Sequence, residues 1–229
     1  MKVENGYLIL PQNFRNKKIT ATTFYGLTGG NKFKPKGDYL LSSLGLLVEE
    51  IDPFYMKRGE IAEIVVNKWL KSRGYETKTW NKFEIKFDNF QNNEYFGGMI
   101  DIAITSPIRC LIECKSKNIK DKEKIKKFPN KEQEYQALFY GYLSKCENIK
   151  IIYVFFTDEQ EELIRQGIDI ETDFNNYEFY EKDLVLNKED LISKLNQSLE
   201  YKLKCLNENK IPLNDISDKA LKLLNLERK

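Results

Sequence analysis

Charged residues interrupt two short apolar segments near the middle of the chain. Residues 97–117 read GGMIDIAITSPIRCLIECKSK, which predicts two strands joined by a turn at residues 105–108. Because successive side chains of a strand point to opposite faces, the isoleucines and cysteines share one face, whereas Asp101, Glu113 and Lys115 share the other. Ionised side chains are seldom buried without a partner, so the charged face indicates either a functional site or a surface ion network.

The remaining apolar spacing predicts an α/β protein. Helical periodicity alternates with short strand-like segments, an order typical of a sheet covered by helices. No repeat or low-complexity linker divides the chain, which favours a single domain over residues 1–229. The predicted helices lie at residues 20–26, 38–51 with Asp38 as the N-cap, 52–74 closed by Gly74, 130–146, 188–207 and 216–226, and the predicted strands lie at residues 7–10, 76–89, 99–105, 109–115, 150–157 and 177–182.

The complete lack of histidine in the sequence narrows the chemistry that this chain can perform. Its 229 residues include 37 Lys and Arg, 35 Asp and Glu, and no His. This composition excludes Ser-His-Asp and Cys-His catalysis and most zinc enzymes. The sequence also has no G-x-x-x-x-G-K-[ST] phosphate loop. If the protein is a hydrolase, carboxylates, lysine and a hard metal ion must perform the reaction.

Two further features of the sequence bear on compartment and partners. The chain has no apolar run of about 18 residues and no export signal, so we expect a cytoplasmic protein whose four cysteines are free thiols. Lysine dominates residues 115–131, KSKNIKDKEKIKKFPNK. Such a block is either a solvated loop or helix face, or a basic lip that binds a polyanion through its phosphates.

The charged face of the two strands has the composition of a site for a divalent cation. If the strands pair as neighbours, Asp101 and Glu113 converge, and their repulsion raises the pKa of each carboxyl group. A hard cation such as Mg²⁺ between them removes that penalty. Lys115 faces the same side, where its ammonium can position a water or stabilise charge on a phosphate.

Two helical motifs accompany these strands. Gln136 and Tyr140 form a Q-x-x-x-Y motif on a predicted helix, where positions four residues apart share one face. Glu63 is the last residue of a G-x-x-x-E motif at the start of an earlier predicted helix. Together with Asp101 and the E-x-K sequence that begins at Glu113, this combination resembles the PD-(D/E)xK nuclease superfamily and its RecB-like branch.

The N-terminal segment narrows the resemblance to the phage λ exonuclease and YqaJ-like recombination exonucleases. Residues 15–40, RNKKITATTFYGLTGGNKFKPKGDYL, are similar to the opening of that branch, in which an arginine precedes an ITAS-like stretch and a basic loop. By this resemblance Arg15 and Thr22 would bind the DNA 5′-phosphate. Met99 stands where the branch often has a serine, so one phosphate contact would be missing or supplied otherwise.

The resemblance implies a restriction-endonuclease-like core, with a central mixed sheet flanked by helices in a single nuclease domain. It implies Mg²⁺-dependent hydrolysis of DNA, 5′ to 3′ from double-stranded ends, with Mn²⁺ able to substitute. Lys115 would orient the water, Gln136 would support Lys115 or bind the phosphate, and Tyr140 would bind DNA in the same groove. The implied metal ligands are Asp101, Glu113, the backbone carbonyl of Cys114, and Glu63.

The resemblance also implies partners for this chain. Members of the branch form ring-shaped trimers and work with a single-strand annealing protein, so we expect a homo-oligomer and such a protein beside double-stranded DNA ends. The implied setting is recombination in the cytoplasm of a bacterial host, with a phage as the source of the gene. No membrane association is expected.

Three alternatives stay open from the sequence. The first is a PD-(D/E)xK endonuclease of a restriction, defence or repair system. The second is an iron–sulfur nuclease, which the place of Cys110 and Cys114 inside a core strand disfavours, because they could not join Cys146 and Cys205 in a cluster. The third is a nucleic-acid-binding protein with a retired site, which the intact Asp-Glu-Lys set disfavours.

Overall fold

The computed structural model describes residues 1–48 and 50–227 of the chain. Its strands are β1 Lys2–Glu4, β2 Tyr7–Ile9, β3 Ile19–Thr20, β4 Glu76–Lys78, β5 Phe96–Gly97, β6 Ile102–Ser106, β7 Cys110–Asn118, β8 Ile149–Phe156, β9 Glu178–Leu184 and β10 Lys210–Pro212. Its helices are α1 Ala21–Leu27, α2 Lys36–Ser43, α3 Pro53–Ser72, α4 Lys122–Lys127, α5 Lys131–Leu143, α6 Asp158–Arg165, α7 Lys188–Asn207 and α8 Asp218–Leu223.

The chain forms two compact units. The first comprises Met1–Glu49, Phe90–Gly98 and Asn187–Lys229, and the second comprises Glu50–Asn89 and Met99–Leu186. Because both units are assembled from separated segments, no single position in the sequence divides one from the other. The single nuclease domain over residues 1–229 stays a prediction.

The second unit is built on a five-stranded sheet with the order β4-β6-β7-β8-β9. Strands β7 and β8 run parallel, from the pair Leu111↔Ile149 to the pair Asn118↔Phe156, whereas every other neighbouring pair in this sheet is antiparallel. A parallel pair needs a long crossover, which the chain provides through α4 and α5. The predicted fold class, an α/β protein with a central mixed sheet flanked by helices, is confirmed.

Helices cover both faces of this sheet. On one face, Ile102 and Ile112 pack with Val65 of α3 in a single apolar cluster. On the other face, Ala137 of α5 packs with alternate residues of β8. Glu113 follows Ile112 by one residue and therefore lies on the α5 face, where only 4% of it is exposed. A surface ion network on a half-exposed sheet does not fit this burial.

The helix α3, which carries Glu63, follows from local signals in the sequence. Asp52 is its N-cap and accepts a 2.9 Å hydrogen bond from the backbone N–H of Phe54, while Pro53 fills the first helical position. Gly74 follows the helix with a φ of 83°, a conformation that glycine adopts readily. The predicted helix and its closure by Gly74 are confirmed.

The first unit contains the three-stranded antiparallel sheet β1-β2-β10 and the short parallel pair β3-β5. In this unit the predicted N-cap of α2 is wrong, because the helix begins at Lys36 behind Pro35 and Asp38 lies inside it. The buried carboxylate of Asp38 instead accepts hydrogen bonds from Ser217, at 2.9 Å from the backbone nitrogen and 2.6 Å from Oγ. The helix also ends at Ser43, before the predicted end, and Glu49 lies outside the described residues.

The strand predicted over residues 76–89 is mostly wrong, because only Glu76–Lys78 pairs with β6. The pairing cannot continue past Lys78, because Lys78 pairs with Ala103 and β6 begins only one residue earlier, at Ile102. The chain therefore turns, and Lys86 and Phe87 adopt positive φ angles of 52° and 59°. Alternating polarity gave a strand pattern here without a neighbouring strand to satisfy it.

We expect Gly141→Ala to destabilise the protein and Gly59→Ala, its matched control, to stabilise it. An added Cβ at Gly141 on α5 would lie 2.1 Å from Ile149 Cδ1 and 3.2 Å from the carbonyl oxygen of Cys146. Overpacking of this kind costs about 1–3 kcal/mol. A Cβ at Gly59 on α3 meets no described atom within 4 Å, and alanine gains about 0.5–1 kcal/mol of helix stability there.

Urea unfolding of both glycine variants gives the two free energies of unfolding directly. A Gly141→Ala protein as stable as the wild type would contradict the close packing of α5 against β8. That packing matters for the site because α5 carries Gln136 and Tyr140.

Candidate active site

Strand β7 carries the charged pair of the predicted site. Glu113 and Lys115 share the α5 face, and Lys115 Nζ donates to Glu113 Oε1 at 2.6 Å. The same ammonium donates to Oε1 of Gln136 on α5 at 2.9 Å. The two β7 side chains are largely shielded, with exposed fractions of 4% for Glu113 and 17% for Lys115. The strand and the helix therefore hold Lys115 between a carboxylate and an amide oxygen.

Asp101 lies one residue before β6, rather than inside the strand as the sequence predicted. Asn89 shapes this approach, because its Oδ1 accepts a 2.8 Å hydrogen bond from the backbone N–H just before Asp101. Asp101 Oδ2 accepts a 2.8 Å hydrogen bond from the backbone N–H of Cys114, where the pairing of β6 with β7 has ended. The carboxylate takes the place of a missing strand partner and thereby reaches the edge of β7.

The backbone of Cys114 gives the site a further oxygen. In a strand, the N–H and C=O groups of one residue point toward the same neighbouring strand. The N–H of Cys114 points to Asp101, so its carbonyl points to the same edge of β7, beyond the start of β6. The carbonyl predicted as a metal ligand is therefore oriented toward the side on which Asp101 lies.

Helix α3 brings Glu63 into electrostatic reach of this cluster. Glu63 Oε1 forms an ion pair with Lys82 Nζ at 3.3 Å. Burial is the main cause that raises the pKa of Glu63 to about 7, and the charge of Asp101 adds to it. The charge of Glu63 in turn contributes to the raised pKa of Glu113.

Gln136 and Tyr140 lie four residues apart on α5, and their side chains lie on the same side of the helix, as their spacing predicted. Gln136 accepts from Lys115, and the Tyr140 hydroxyl forms hydrogen bonds with the Gln136 side chain and the backbone of Met99. Burial, followed by the neighbouring carboxylates, raises the pKa of Tyr140. Tyr140 therefore stays a neutral hydrogen-bonding group.

The cluster holds more buried carboxyl groups than nearby cations can neutralise. Burial above all, then the charge of Asp101, raises the pKa of Glu113 to about 8. Burial also raises the pKa of Asp101, against the opposing effects of Lys115 and the Cys114 N–H. Burial disfavours the charge of Lys115, but Glu113 and Asp101 outweigh it and hold the pKa of the ammonium above its usual value. A further cation would complete the charge balance.

The available oxygens suit a hard cation that keeps part of its water shell. Within residues 1–48 and 50–227, no three His, Cys, Asp or Glu side chains form a ready metal cage. The site instead offers two carboxylates, from Asp101 and Glu113, together with the carbonyl of Cys114. Mg²⁺ characteristically binds through one or two carboxylates, with waters and substrate phosphate filling its remaining positions. The donor set fits Mg²⁺, and the carboxylate of Glu63 forms its ion pair with Lys82.

Two of the predicted phosphate-binding residues belong to the first unit. Arg15 is exposed in the segment that precedes β3. Thr22 is exposed in the first turn of α1, and its Oγ1 lies 3.2 Å from Oγ1 of Thr20. Their role in binding a 5′-phosphate stays a prediction.

Lys82 and Asn89 also support the site but were not predicted from the sequence, because both lie in the segment predicted as a strand. Lys82 pairs with Glu63, and Asn89 shapes the backbone that leads to Asp101. The sequence contained one usable signal, because Asn and Asp at residues 81, 88 and 89 favour turns over a continuous strand. No motif marked Lys82.

The raised pKa values predict how the metal-free protein responds to pH. Glu63 and Glu113 bind protons more tightly when folded than when unfolded, so the stability they contribute at low pH is lost as pH rises from about 4.5 to about 8. Mg²⁺ binds the ionised carboxylates, so its stabilising effect should grow over the same range.

Differential scanning fluorimetry at several pH values, with EDTA or with Mg²⁺, measures both effects. We expect the melting temperature in EDTA to fall between about pH 5 and pH 8, and the increase caused by Mg²⁺ to be larger at about pH 8 than at about pH 6. If Mg²⁺ raises the melting temperature less at about pH 8 than at about pH 6, the assignment of these carboxylates as metal ligands is contradicted.

All four cysteines, Cys110, Cys114, Cys146 and Cys205, lie in the described part of the chain as free, buried thiols. No helix within residues 1–48 and 50–227 is long and apolar enough to cross a membrane.

A mixed sheet covered by helices, with Asp101 just before β6 and with Glu113 and Lys115 on the neighbouring strand β7, is the arrangement of a restriction-endonuclease-like core. No protein-family model and no curated protein matches the chain. Among solved structures, an alkaline exonuclease (LHK-Exo) from Laribacter hongkongensis matches with a TM-score of 0.54 and 16% identity, covering 91% of this chain and 96% of that one.

Two further structures give the same result. A phage-related exonuclease from Haemophilus somnus 129PT has a TM-score of 0.53 and 18% identity, covering 84% of this chain and 96% of that one. LHK-Exo in complex with dAMP has a TM-score of 0.54 and 16% identity, covering 90% and 94%. These comparisons show that the chain shares the fold of the phage-related exonucleases. The resemblance predicted from the sequence is confirmed for the fold.

Proposed function

We propose that the protein is a metal-dependent deoxyribonuclease that acts as an exonuclease on the ends of double-stranded DNA. The observation that carries this proposal is the shielded ammonium of Lys115, held 2.6 Å from Glu113 Oε1 and 2.9 Å from Gln136 Oε1 beside Asp101. The shared fold with alkaline and phage-related exonucleases, one of them determined with dAMP, supports DNA as the substrate.

The carboxylates provide the proposed metal site. Asp101, Glu113 and the carbonyl of Cys114 would hold Mg²⁺, which Mn²⁺ can replace, and Glu63 would support a second ion. When bound, the metal supplies Lewis-acid stabilisation of phosphate charge and a more acidic water. The chain contributes fixed oxygen atoms, because the Cys114 N–H holds Asp101 and the Lys115 ammonium holds Glu113. Ligands fixed in advance lose little freedom when the phosphate enters.

Lys115 has one donor left for the reaction. An ammonium carries three N–H groups, and Glu113 and Gln136 each accept one. The third N–H positions the attacking water or donates to a phosphate oxygen. Gln136 fixes the direction of that donor, and the neutral hydroxyl of Tyr140, which is bonded to Gln136, would contact the DNA beside it.

The proposal extends to direction and setting. We infer degradation from 5′ to 3′, with Arg15 and Thr22 binding the terminal 5′-phosphate, which leaves a single strand for recombination. The resemblance to the phage branch further supports a ring-shaped trimer and a single-strand annealing protein as partner, in the cytoplasm of a bacterial host.

Digestion of end-labelled linear duplexes tests the proposed activity. We expect release of mononucleotides from the 5′-phosphorylated strand in Mg²⁺ and no release in EDTA. Covalently closed circular DNA serves as the control substrate, because an exonuclease needs an end. Cleavage of closed circles would favour the endonuclease alternative, and a protein inert on every DNA substrate would contradict the proposal.

The preference for a 5′-phosphate tests Thr22 separately. Loss of a hydrogen bond to a charged group typically costs about 1.5–3 kcal/mol, so Thr22→Val should reduce the ratio of rates on phosphorylated and unphosphorylated ends about tenfold or more. Thr28→Val is the matched control, since the Thr28 hydroxyl at the end of α1 donates to the carbonyl of Tyr25. An unchanged ratio for Thr22→Val would contradict its assignment.

A further inference from the structure

A separate pocket opens on the α5 face of the sheet, close to Lys115. Its volume is about 220 Å³. The residues that matter for its chemistry are Lys117, Asp121, Lys124, Phe128, Gln133 and Tyr153. We call it the Lys117 pocket, after the β7 residue in its wall.

The Lys117 pocket repeats the pairing of β7 with α5 one step further along. Lys117 follows Lys115 by two residues and so lies on the same face of β7. Gln133 precedes Gln136 by three residues and so lies on the same side of α5, one turn earlier. Tyr153 of β8 lies beside both pairs. It is the register partner of Lys115, and its hydroxyl donates to Gln133 Oε1 at 3.1 Å.

The pocket carries an excess of positive charge. Lys117 is partly buried, and its ammonium forms no hydrogen bond or ion pair with the residues that the structure describes. Burial lowers the pKa of Lys117, and the neighbouring charges of Arg58, Lys115 and Lys124 lower it further, while Asp121 alone opposes them. A partly buried, unpaired ammonium among other cations is costly, and an anion in the pocket would relieve that cost.

The remaining walls suit the rest of a nucleotide. The ring of Phe128 is 74% exposed at the pocket, which leaves an apolar surface against which a base or sugar can pack. Gln133 uses its Oε1 to accept from Tyr153, so its amide nitrogen remains as a donor toward the pocket. Cations, an amide donor and an exposed ring together form a surface for a phosphate with its attached nucleoside.

We propose that the Lys117 pocket binds the phosphate of a nucleotide next to the one being cleaved, as a second phosphate subsite distinct from Arg15 and Thr22. The inference rests on the proposed function for the identity of its ligand. The phosphate comes either from the adjoining linkage of the DNA strand or from a released mononucleotide, since both present the same anion to Lys117 and Lys124.

Equilibrium binding without divalent cations tests the subsite apart from catalysis. A fluorescein-labelled duplex with a single-stranded extension is titrated in EDTA between about 50 and 200 mM salt, where each lost phosphate contact lowers the slope of log affinity against log salt by about 0.7–0.9. We expect Lys117→Gln to weaken binding about three- to tenfold with this loss of slope, and Lys117→Arg to restore both.

Lys126→Gln is the matched control, because Lys126 lies on α4 beside Lys124 of the pocket, pairs with Glu123 at 3.1 Å and is not part of the pocket lining. Its affinity and slope should stay near those of the wild type. Equal losses in Lys126→Gln and Lys117→Gln, or no loss in either, would overturn the subsite. Melting temperatures of the variants confirm that each is folded.

A second titration with dAMP and with deoxyadenosine identifies the source of the phosphate. Binding of dAMP that needs Lys117, with no binding of deoxyadenosine, assigns the pocket to a released nucleotide. Lys117-dependent binding of the oligonucleotide alone assigns it to the adjoining linkage. Lys117-independent binding of both ligands overturns the proposal, whereas Lys117-dependent binding by a protein that cleaves no DNA contradicts only the proposed function.

Discussion

Replacing Lys115 with alanine should lower the rate of DNA cleavage by about 10²–10⁴-fold, the range seen when a positioned proton-transfer or electrostatic group is lost. The ammonium is the only described donor that binds both Glu113 Oε1 and Gln136 Oε1. Its removal takes away the N–H that would position water or stabilise phosphate charge. The carboxylates remain, so metal binding and DNA binding should persist, and the loss should appear in kcat more than in KM.

Lys150→Ala is the control for this experiment. Lys150 is also an ion-paired lysine of the same sheet, with Nζ 2.9 Å from Asp183 Oδ1 and 3.4 Å from Glu181 Oε2, but it lies on β8 away from the candidate site. Its kcat should stay within about twofold of the wild type, by the small effect expected of exposed ion pairs. If Lys115→Ala cleaves DNA at the wild-type rate, Lys115 has no part in the chemistry.

Glu113→Gln should make the protein more stable and nearly inactive at the same time. Burial raises the pKa of Glu113 to about 8, so the folded protein favours the uncharged carboxyl group. Glutamine resembles that uncharged form, so in EDTA at about pH 8 the variant should melt at a higher temperature than the wild type. Cleavage should fall about 10²–10³-fold, because an amide is a poor ligand for Mg²⁺ and does not neutralise Lys115.

Thermal melts in EDTA and single-turnover cleavage assays in Mg²⁺ measure the two halves of this prediction. Glu181→Gln is a matched control, since Glu181 of β9 forms ion pairs with Arg73 and with Lys150 of β8. That variant should lose slight stability and keep full activity. A Glu113→Gln protein that is less stable than the wild type at about pH 8, or fully active, would contradict a buried carboxylate kept for metal binding.

The sequence predicted those parts of the site that follow from local spacing. Alternation along β7 placed Glu113 and Lys115 on one face, and the spacing of four placed Gln136 and Tyr140 together on α5. These relations hold within one strand or one helix, where geometry is fixed by the backbone. The long helices and the apolar strand β8 were predictable for the same reason.

The parts that failed depend on distant neighbours. Asp38 looked like a helix cap by position, but its partner is Ser217, far along the chain. Residues 79–89 alternate like a strand, yet β6 offers no edge beyond Lys78. The ion pair between Lys82 and Glu63 could not be predicted, because it depends on how that turn folds back onto α3.

Calorimetric titration of Mg²⁺ at about pH 8 measures most directly whether Asp101 and Glu113 form a metal site. The wild type and Lys115→Ala should both bind the ion, whereas Asp101→Asn and Glu113→Gln should bind it at least about tenfold more weakly, the usual loss when a ligand or its support is removed. Binding by both carboxamide variants with wild-type affinity would show that the cation lies elsewhere and would remove the chemical basis of the proposed nuclease.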